Sequence, residues 1–422
     1  MRFRKYIKIL SAVLIGISLF TGCHTWGGRE QVLSDFAPPA RHVGAEQEGS
    51  GTLTLKEDPL WSDEGSLKAM VISDLHYTED QDQDHSLVPG IAIAERITDT
   101  LIAEVIDRHP DVLIMTGDNT NSGYLGDVSR LVSKLQKIRD AGIHIVMTTG
   151  NHDFDLMDAG QYEQSYFGLM EPVDRDSASL SYTAIIKNTV FLAMDDYDEL
   201  ADWQGSFSPE TIRWVGDMLE KYRDKTVIFL SHHNVLYGFA EEHDESYQIQ
   251  NPELPDLLYN GNVRLAMTGH MHMQYITEKD GLWEILSGMP FSGNHLIGNL
   301  AVGKNKMIYY AEPVDFAEYG SSAGEELDRL DQESSEYMDQ VFSELLESEG
   351  LHAERKKRVM NLIKWYFSFY YEGTLAQHKQ ELTGDPFYKP MIKALWNYNY
   401  GPWMKAMIEM TEYNAGELVL SW

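Results

Sequence analysis

Five apolar runs between Leu67 and His272 each stop on a polar cluster, and this pattern limits the fold more than any bulk property does. Leu67 to Ser73 leads into Asp74-Leu75-His76, Val112 to Thr116 into Gly117-Asp118-Asn119, and Ile143 to Thr149 into Gly150-Asn151-His152-Asp153. Thr226 to Ser231 leads into His232-His233-Asn234, and Val263 to Thr268 into Gly269-His270-Met271-His272. Short continuous runs of this kind read as strands buried on both faces. Helical patterns lie between them. Ile93, Ile97, Leu101 and Val105 repeat every four residues within Ile91 to His109, and Ser208-Pro209-Glu210 supplies an N-cap, a first-turn proline and an acid beside the helix dipole. Strands and helices in alternation predict an α/β core.

Antiparallel segments join that core. Ser181 to Lys187 and Thr189 to Met194 face each other across Lys187-Asn188, and Leu282 to Ser287 and Lys306 to Glu312 have a similar texture. Two stacked mixed sheets with helices outside are expected over 67–312. From about Pro313 the chain turns helical, with an acidic run from Gly324 to Ser348, then Arg355 to Tyr371, then an aromatic stretch carrying Trp396, Tyr398, Tyr400 and Trp403. A second, helical domain is expected over 313–422. The aromatics Trp365, Tyr366, Phe367, Phe369, Tyr370 and Tyr371 read first as core, and second as a cap over a site mouth.

The start of the chain has a different character. Arg2, Arg4, Lys5 and Lys8 precede an apolar run from Ile9 to Phe20, the layout of a secretory signal over 1–22. The run is shorter than the roughly 20 residues a membrane-spanning helix needs. Phe20-Thr21-Gly22-Cys23 resembles a bacterial lipobox, with Phe20 where Leu is usual, so Cys23 is expected to carry a lipid anchor at the extracytoplasmic face of the cell membrane. Residues 23–66 read as a tether. Cys23 is the single cysteine of the 422 residues, which leaves neither an intrachain disulfide nor a thiolate metal site. The body is acidic: 34 Lys+Arg against 66 Asp+Glu give a net charge of -32, and removing 1–22 takes four positive charges with it. A field of that sign opposes binding to a nucleic-acid polymer. With 43% hydrophobic residues, wholesale disorder is excluded.

The polar clusters carry the chemistry. Carboxylate, imidazole and amide oxygen are ligands for divalent transition metals, and strand ends can aim several of them into one crevice. An Asp-x-His or His-x-His pair puts both side chains on one side of the backbone. Asp74, His76, Asp118, Asn151, His232, His270 and His272 exceed what one four- or five-coordinate ion takes. Two ions bridged by one carboxylate would use them all.

In this order, Asp-x-His, Gly-Asp, Gly-Asn-His-Asp, His and Gly-His-x-His, the clusters resemble the signature of the calcineurin-like metallophosphoesterases, from Asp74 to His272. The resemblance implies a four-layer α/β/β/α sandwich with two divalent metal ions, Mn, Fe or Zn. Asp74, His76, Asp118 and His272 would hold the first, and Asp118, Asn151, His232 and His270 the second. His152 matches the family's non-ligand histidine, so His152 and Asp74 are the catalytic candidates, with a hydroxide shared between the metals attacking a small phosphoester. His233 would be substrate-facing or structural, and Tyr77, Asn119 and the loop from Phe291 to His295 are further candidates for substrate contact. Trp203 and Trp283 read as packing. Phosphoprotein phosphatases extend the second block to Gly-Asp-x-Val-Asp-Arg-Gly. Here Gly117-Asp118-Asn119-Thr120-Asn121-Ser122-Gly123 lacks the second acid and the Arg, which argues against that branch. The short motif form, with a lipobox and a helical C-terminus, resembles the class III cyclic-nucleotide phosphodiesterase-like lipoproteins. A phosphodiesterase is therefore expected, with a phosphomonoesterase or a non-catalytic metal- or ligand-binding lipoprotein as alternatives. For the anchor, Cys23→Ala is expected to release the protein from the membrane fraction, read by immunoblot; retention unchanged would refute it.

Overall fold

The structure is a computed structural model and describes residues 55–79, 94–197, 204–236, 248–290, 295–319, 339, 342–343, 346–347, 351–396, 400–410 and 416–422. The signal segment, Cys23, most of the tether, Trp203, Phe291 to Asn294, most of the acidic run from Gly324 to Ser348, and Tyr398 lie outside the described residues. So do the side chains of Tyr400 and Trp403.

After single turns at Leu55–Glu57 and Pro59–Trp61, the chain runs through β1 (Leu67–Ile72), α1 (Ala94–Arg108), β2 (Val112–Thr116), α2 (Leu125–Asp140) and β3 (His144–Thr148). It continues through α3 (Ala159–Tyr166), β4 (Asp174–Arg175), β5 (Tyr182–Ile186), β6 (Thr189–Ala193), α4 (Pro209–Lys221), β7 (Thr226–Leu230), α5 (Leu254–Asn260) and β8 (Leu265–Thr268). Then follow β9 (Tyr275–Lys279), β10 (Leu282–Leu286), β11 (Leu296–Val302), β12 (Lys306–Pro313) and α6 (Phe316–Tyr319). The last elements are α7 (Ala353–Tyr371), α8 (Leu375–Gly384), α9 (Tyr388–Ala394), α10 (Tyr400–Met410) and β13 (Glu417–Ser421). The Ser208 cap forms as its sequence predicts, its hydroxyl accepting from the Thr211 amide.

Two mixed sheets result. One has the order β13-β12-β11-β1-β2-β3, the other β4-β5-β6-β7-β8-β10-β9. β1, β2 and β3 run parallel, as do β6, β7, β8 and β10. Side-chain alternation explains the layering. In β6, Phe191 and Ala193 enter a cluster shared with Val71, Ile114 and Val146 of the first sheet. Their neighbours Val190 and Leu192 face the opposite way, onto Val215 and Leu219 of α4 and Leu254 and Leu258 of α5. β7 divides Ile228 and Leu230 from Val227 and Phe229 in the same manner. On the other side, Leu101 and Val105 of α1 and Leu131 and Leu135 of α2 join the cluster of the first sheet. The fold is thus helix, sheet, sheet, helix, with further helices toward the C-terminus.

Those C-terminal helices have their own core. Val359, Ile363, Tyr366, Phe367 and Tyr370 of α7 pack with Leu382, Met391 and Met404, and with Met271, Met273, Tyr275 and Leu286 of the sandwich. The aromatic run is therefore chiefly core, Trp365 standing 50% exposed on the other face of its helix. Trp283 packs, partly buried, against the inter-sheet cluster. No helix among the described residues is long and apolar enough to cross a membrane.

The chain end departs from the helical reading of 313–422. β13 pairs antiparallel with β12, from Lys306 opposite Ser421 to Tyr310 opposite Glu417, and so closes the edge of the first sheet. Its signal is the period-two alternation of Leu418 and Leu420, buried, with Val419, 39% exposed. Five residues after an aromatic helix offered too little length for that period to stand out. β11 was missed for a related reason: Gly298 and Asn299 interrupt its apolar run. Leu420→Ala is expected to cost about 2–3 kcal/mol and Val419→Ala about 0.5 kcal/mol or less, measured by chemical denaturation; equal costs would contradict this register.

Candidate metal centre

Every polar cluster sits just past the carboxyl end of a parallel strand: Asp74 and His76 after β1, Asp118 after β2, Asn151 and His152 after β3, His232 after β7, His270 and His272 after β8. Such ends are where an open α/β sheet leaves a crevice. Here the ends of two sheets meet.

The backbone is bent to do this. Asp74, His76, Asp118, His270 and His272 all have positive φ, between 40° and 67°. Non-glycine residues rarely adopt this left-handed conformation, and it persists only where the surroundings over-determine it. Backbone hydrogen bonds between blocks provide that determination. The His76 amide donates to the Asp118 carbonyl at 2.9 Å, and the Gly269 amide to the His232 carbonyl at 3.0 Å. Side chains add to it: Asp74 Oδ1 accepts from the His270 amide at 3.0 Å, and Asp118 Oδ1 from the His152 amide at 2.9 Å. Two motif glycines are required by close approach. A Cβ at Gly150 would lie 2.1 Å from the Asp118 nitrogen, and one at Gly269 would lie 2.0 Å from Ser73 Oγ and 2.6 Å from Asp74 Oδ2.

The seven expected ligands come together in two groups. Asp74, His76, Asp118 and His272 offer ligand atoms all within 4.8 Å of one another, as do Asp118, His232 and His270. Asp118 belongs to both. Asn151 Oδ1 lies 3.1 Å from His232 Nε2, which places it with the second group. His76 Nε2 is 3.1 Å from His272 Nε2, His232 Nε2 is 3.2 Å from Asp118 Oδ2, and His270 Nδ1 is 3.2 Å from His232 Nε2. His270 is partly exposed and the other six are buried.

These atoms fit divalent cations on their own chemistry. His232 Nδ1 lies 2.9 Å from the Thr116 carbonyl, which can only accept, so Nδ1 carries the proton and Nε2 turns its lone pair toward Asp118 and Asn151. Facing lone pairs repel unless a cation lies between them. The electrostatics agree. Burial alone disfavours charge on His232, yet the Asp118, Asp74 and Asp196 carboxylates lift it to about 10, so the pocket calls for positive charge. Burial, reinforced by neighbouring imidazoles, holds His76 and His270 well below the ordinary range, which keeps their lone pairs available. Nitrogen and oxygen donors without sulfur complete a set for two divalent ions.

His152 stands beside this cluster, its ring 4.8 Å from that of His76 in an edge-on contact. Its Nδ1 donates to the Asn121 carbonyl at 3.0 Å. Asp155 Oδ2 lies 3.6 Å from the same nitrogen. The second block's missing acid thus has a counterpart three residues after the histidine, a position the motif comparison did not reach.

Tyr77, Asn119 and His233, expected to contact substrate, are instead buried supports. All three are fully buried. Tyr77 gives its hydroxyl to Glu79. Asn119 spends its amide on the Thr148 carbonyl and Asp153. His233 Nδ1 lies 3.2 Å from Asp196 Oδ1, and its ring packs 4.3 Å from that of His270, which decides for its structural option. Three buried carboxylates have a supporting role that the sequence reading did not assign. Asp153 accepts from the Asn119 and Thr120 amides, Asp196 from the His232 and His233 amides, and Glu284 from the Val235 and Leu236 amides. Burial pushes Asp153 and Glu284 up to about 6. Asp153 and Asp196 follow motif or strand residues, but nothing in a single sequence marks them as anchors of backbone amides.

Comparison with known proteins agrees with this geometry. The calcineurin-like phosphoesterase family matches residues 67–274. Residues 67–274 are a calcineurin-like metallophosphoesterase domain. That family is one of phosphoester hydrolases, and the residues here fit a dinuclear divalent site. A curated relative, the probable glycerophosphodiester phosphodiesterase GpdQ of Arcobacter nitrofigilis, is 26% identical over 166 residues, 39% of this chain and 57% of the relative. The chain thus spans little more than half the length of that relative. Among solved structures, a dimetal phosphatase from Danio rerio has 13% identity and a TM-score of 0.47, over 58% of this chain and 95% of that one. The purple acid phosphatase PPD1 from yellow lupin has 14% identity and a TM-score of 0.42, over 60% and 52%.

Gly269→Ala is expected to lose metal from both groups, since its Cβ must displace Asp74 and the strand carrying His270. Metal content by atomic emission, with the fold checked by circular dichroism, measures this; a metal-replete, folded variant would contradict the close approach.

Proposed function

We propose that this protein is a phosphodiesterase using two Mn, Fe or Zn ions. The observation that carries the reading is the pair of ligand groups sharing Asp118, with His152 alongside. The preference for a diester rests on two supports. The curated relative is named for a phosphodiester substrate. The carboxylates near the site, Asp155 beside His152 and Asp196 beneath His232 and His233, oppose a monoester dianion more than a diester's single charge.

Asp74, His76, Asp118 and His272 would hold one ion, and Asp118, Asn151, His232 and His270 the other. When bound, such a pair supplies Lewis acidity toward phosphoryl oxygens and a strongly lowered pKa for water. The chain's own part is orientation and proton handling. With Nδ1 fixed on the Asn121 carbonyl, His152 presents Nε2 to the reacting group, where it donates to a phosphoryl or leaving oxygen as charge develops. Asp155 provides a countercharge on the far side of the ring. Asp153 holds the two loops from which His152 and Asp118 project, through the amides of Asn119, Thr120 and Gly150. The same proposal sets the enzyme at the outer face of the membrane by a lipid on Cys23, supported by the N-terminal sequence, so its substrate is a small envelope or extracellular phosphodiester.

The test is the purified protein loaded with Mn(II), assayed in parallel on bis-p-nitrophenyl phosphate and p-nitrophenyl phosphate. Diester preference is expected, with kcat falling about 10²–10⁴-fold in His152→Ala and metal content unchanged. Monoester preference would overturn the diester reading, and metal-loaded protein silent on both would favour a binding protein.

A further inference from the structure

We infer that the C-terminal helices brace the loop after β8 at the metal centre, and that Tyr370 is the residue through which they do so. The inference rests on the reading of His270 and His272 as metal ligands. The loop after β8 carries those ligands on either side of Met271, and both flanking residues are left-handed, His270 at φ 67° and His272 at φ 54°. Two strained residues around one intervening residue need a restraint on that residue. Within the sandwich, the Met271 amide donates to the Gly269 carbonyl at 2.8 Å. The other half of the restraint comes from outside it: the buried Tyr370 hydroxyl of α7 donates to the Met271 carbonyl at 2.8 Å. The Met271 and Met273 side chains are buried in the same cluster as Tyr366, Phe367 and Tyr370. The loop is thus plugged into the helices by side chains and tied to them by the hydrogen bond from the Tyr370 hydroxyl to the Met271 carbonyl. The Met271 carbonyl lies between the two ligand candidates in the chain, so holding it restrains the loop that carries both.

Helix α7 contains its own control. Tyr366, one turn before Tyr370, is equally buried, and its hydroxyl donates to the Met404 carbonyl at 3.2 Å, within the helices. Substitution by Phe removes the Tyr366–Met404 bond in one case and the Tyr370–Met271 bond in the other, and the second of these reaches the metal loop. Tyr370 is a positioning residue.

The experiment titrates Mn(II) into the metal-stripped full-length protein by calorimetry, for wild type, Tyr370→Phe, Tyr366→Phe and His272→Ala, with the melting temperature of each metal-free form. Tyr370→Phe is expected to weaken Mn(II) binding about ten-fold, the size of a supporting-contact effect. Tyr366→Phe should leave the affinity unchanged while lowering the metal-free melting temperature by a similar amount. If Tyr370→Phe binds as wild type while His272→Ala loses an ion, the brace is refuted and the ligand reading stands. If both tyrosine variants weaken binding alike, the effect is general loosening and the brace is again refuted. If His272→Ala binds two ions as wild type, the ligand reading fails, and the brace with it.

Discussion

Asp118 is the contact on which both sheets converge. It leaves β2 of the first sheet, yet its Oδ2 lies 3.2 Å from the Nε2 of His232, which leaves β7 of the second. It is buried, its partners are imidazoles, and they hold it well below the usual carboxylate range against the opposing effect of burial. A buried carboxylate kept ionised is costly unless positive charge stays close. The inter-sheet core can therefore be thought of as having two jobs. It buries apolar area, and it sets the distance between two strand ends so that one carboxylate serves ligand groups on both sides.

That arrangement is unfavourable locally and sustained globally. Five of the seven ligands occupy left-handed backbone, where short peptides of the same sequence would rarely stay. The compensation comes from buried acids bound to main-chain amides. Asp153 binds the turns after β2 and β3, Asp196 the turn after β7, and Glu284 the segment just beyond it. Asp153 takes three amides and Asp196 and Glu284 two each, so the loops that carry the ligand candidates are held by buried carboxylates behind them.

The sequence was legible where chemistry and period coincide. The five runs ending in Asp, Asn and His became parallel strands whose ends meet, because an uninterrupted apolar run has few other ways to be buried. The gathering of the expected ligand residues was legible because few side chains can hold a divalent ion. What surrounds the ligands was much less so. Tyr77, Asn119 and His233 stand next to ligand candidates in sequence, and adjacency suggested substrate contact; but all three are fully buried and bound to Glu79, Asp153 and Asp196, partners that no local pattern indicates. Asp155 escaped notice because its link to His152 depends on a single 3₁₀ turn, His152–Phe154, that folds the carboxylate back toward the ring. β13 escaped because its partner, β12, lies about a hundred residues earlier, a pairing no local pattern can indicate.

The charge distribution gives the proposed chemistry its selectivity. A chain of net charge -32 repels large anions at a distance, while a centre holding two dications attracts a small anion once it is close. Surface repulsion is screened within about 10 Å at ordinary ionic strength, but the attraction operates inside a buried, poorly screened crevice. A polyanion must place many charges against the acidic exterior to deliver one phosphate to the centre. A small diester brings a single charge and meets the exterior only briefly. The same acidity that argues against a nucleic-acid polymer therefore favours a substrate of low charge and small size, and Asp155 and Asp196, near the site itself, continue that preference to within reach of the reacting group.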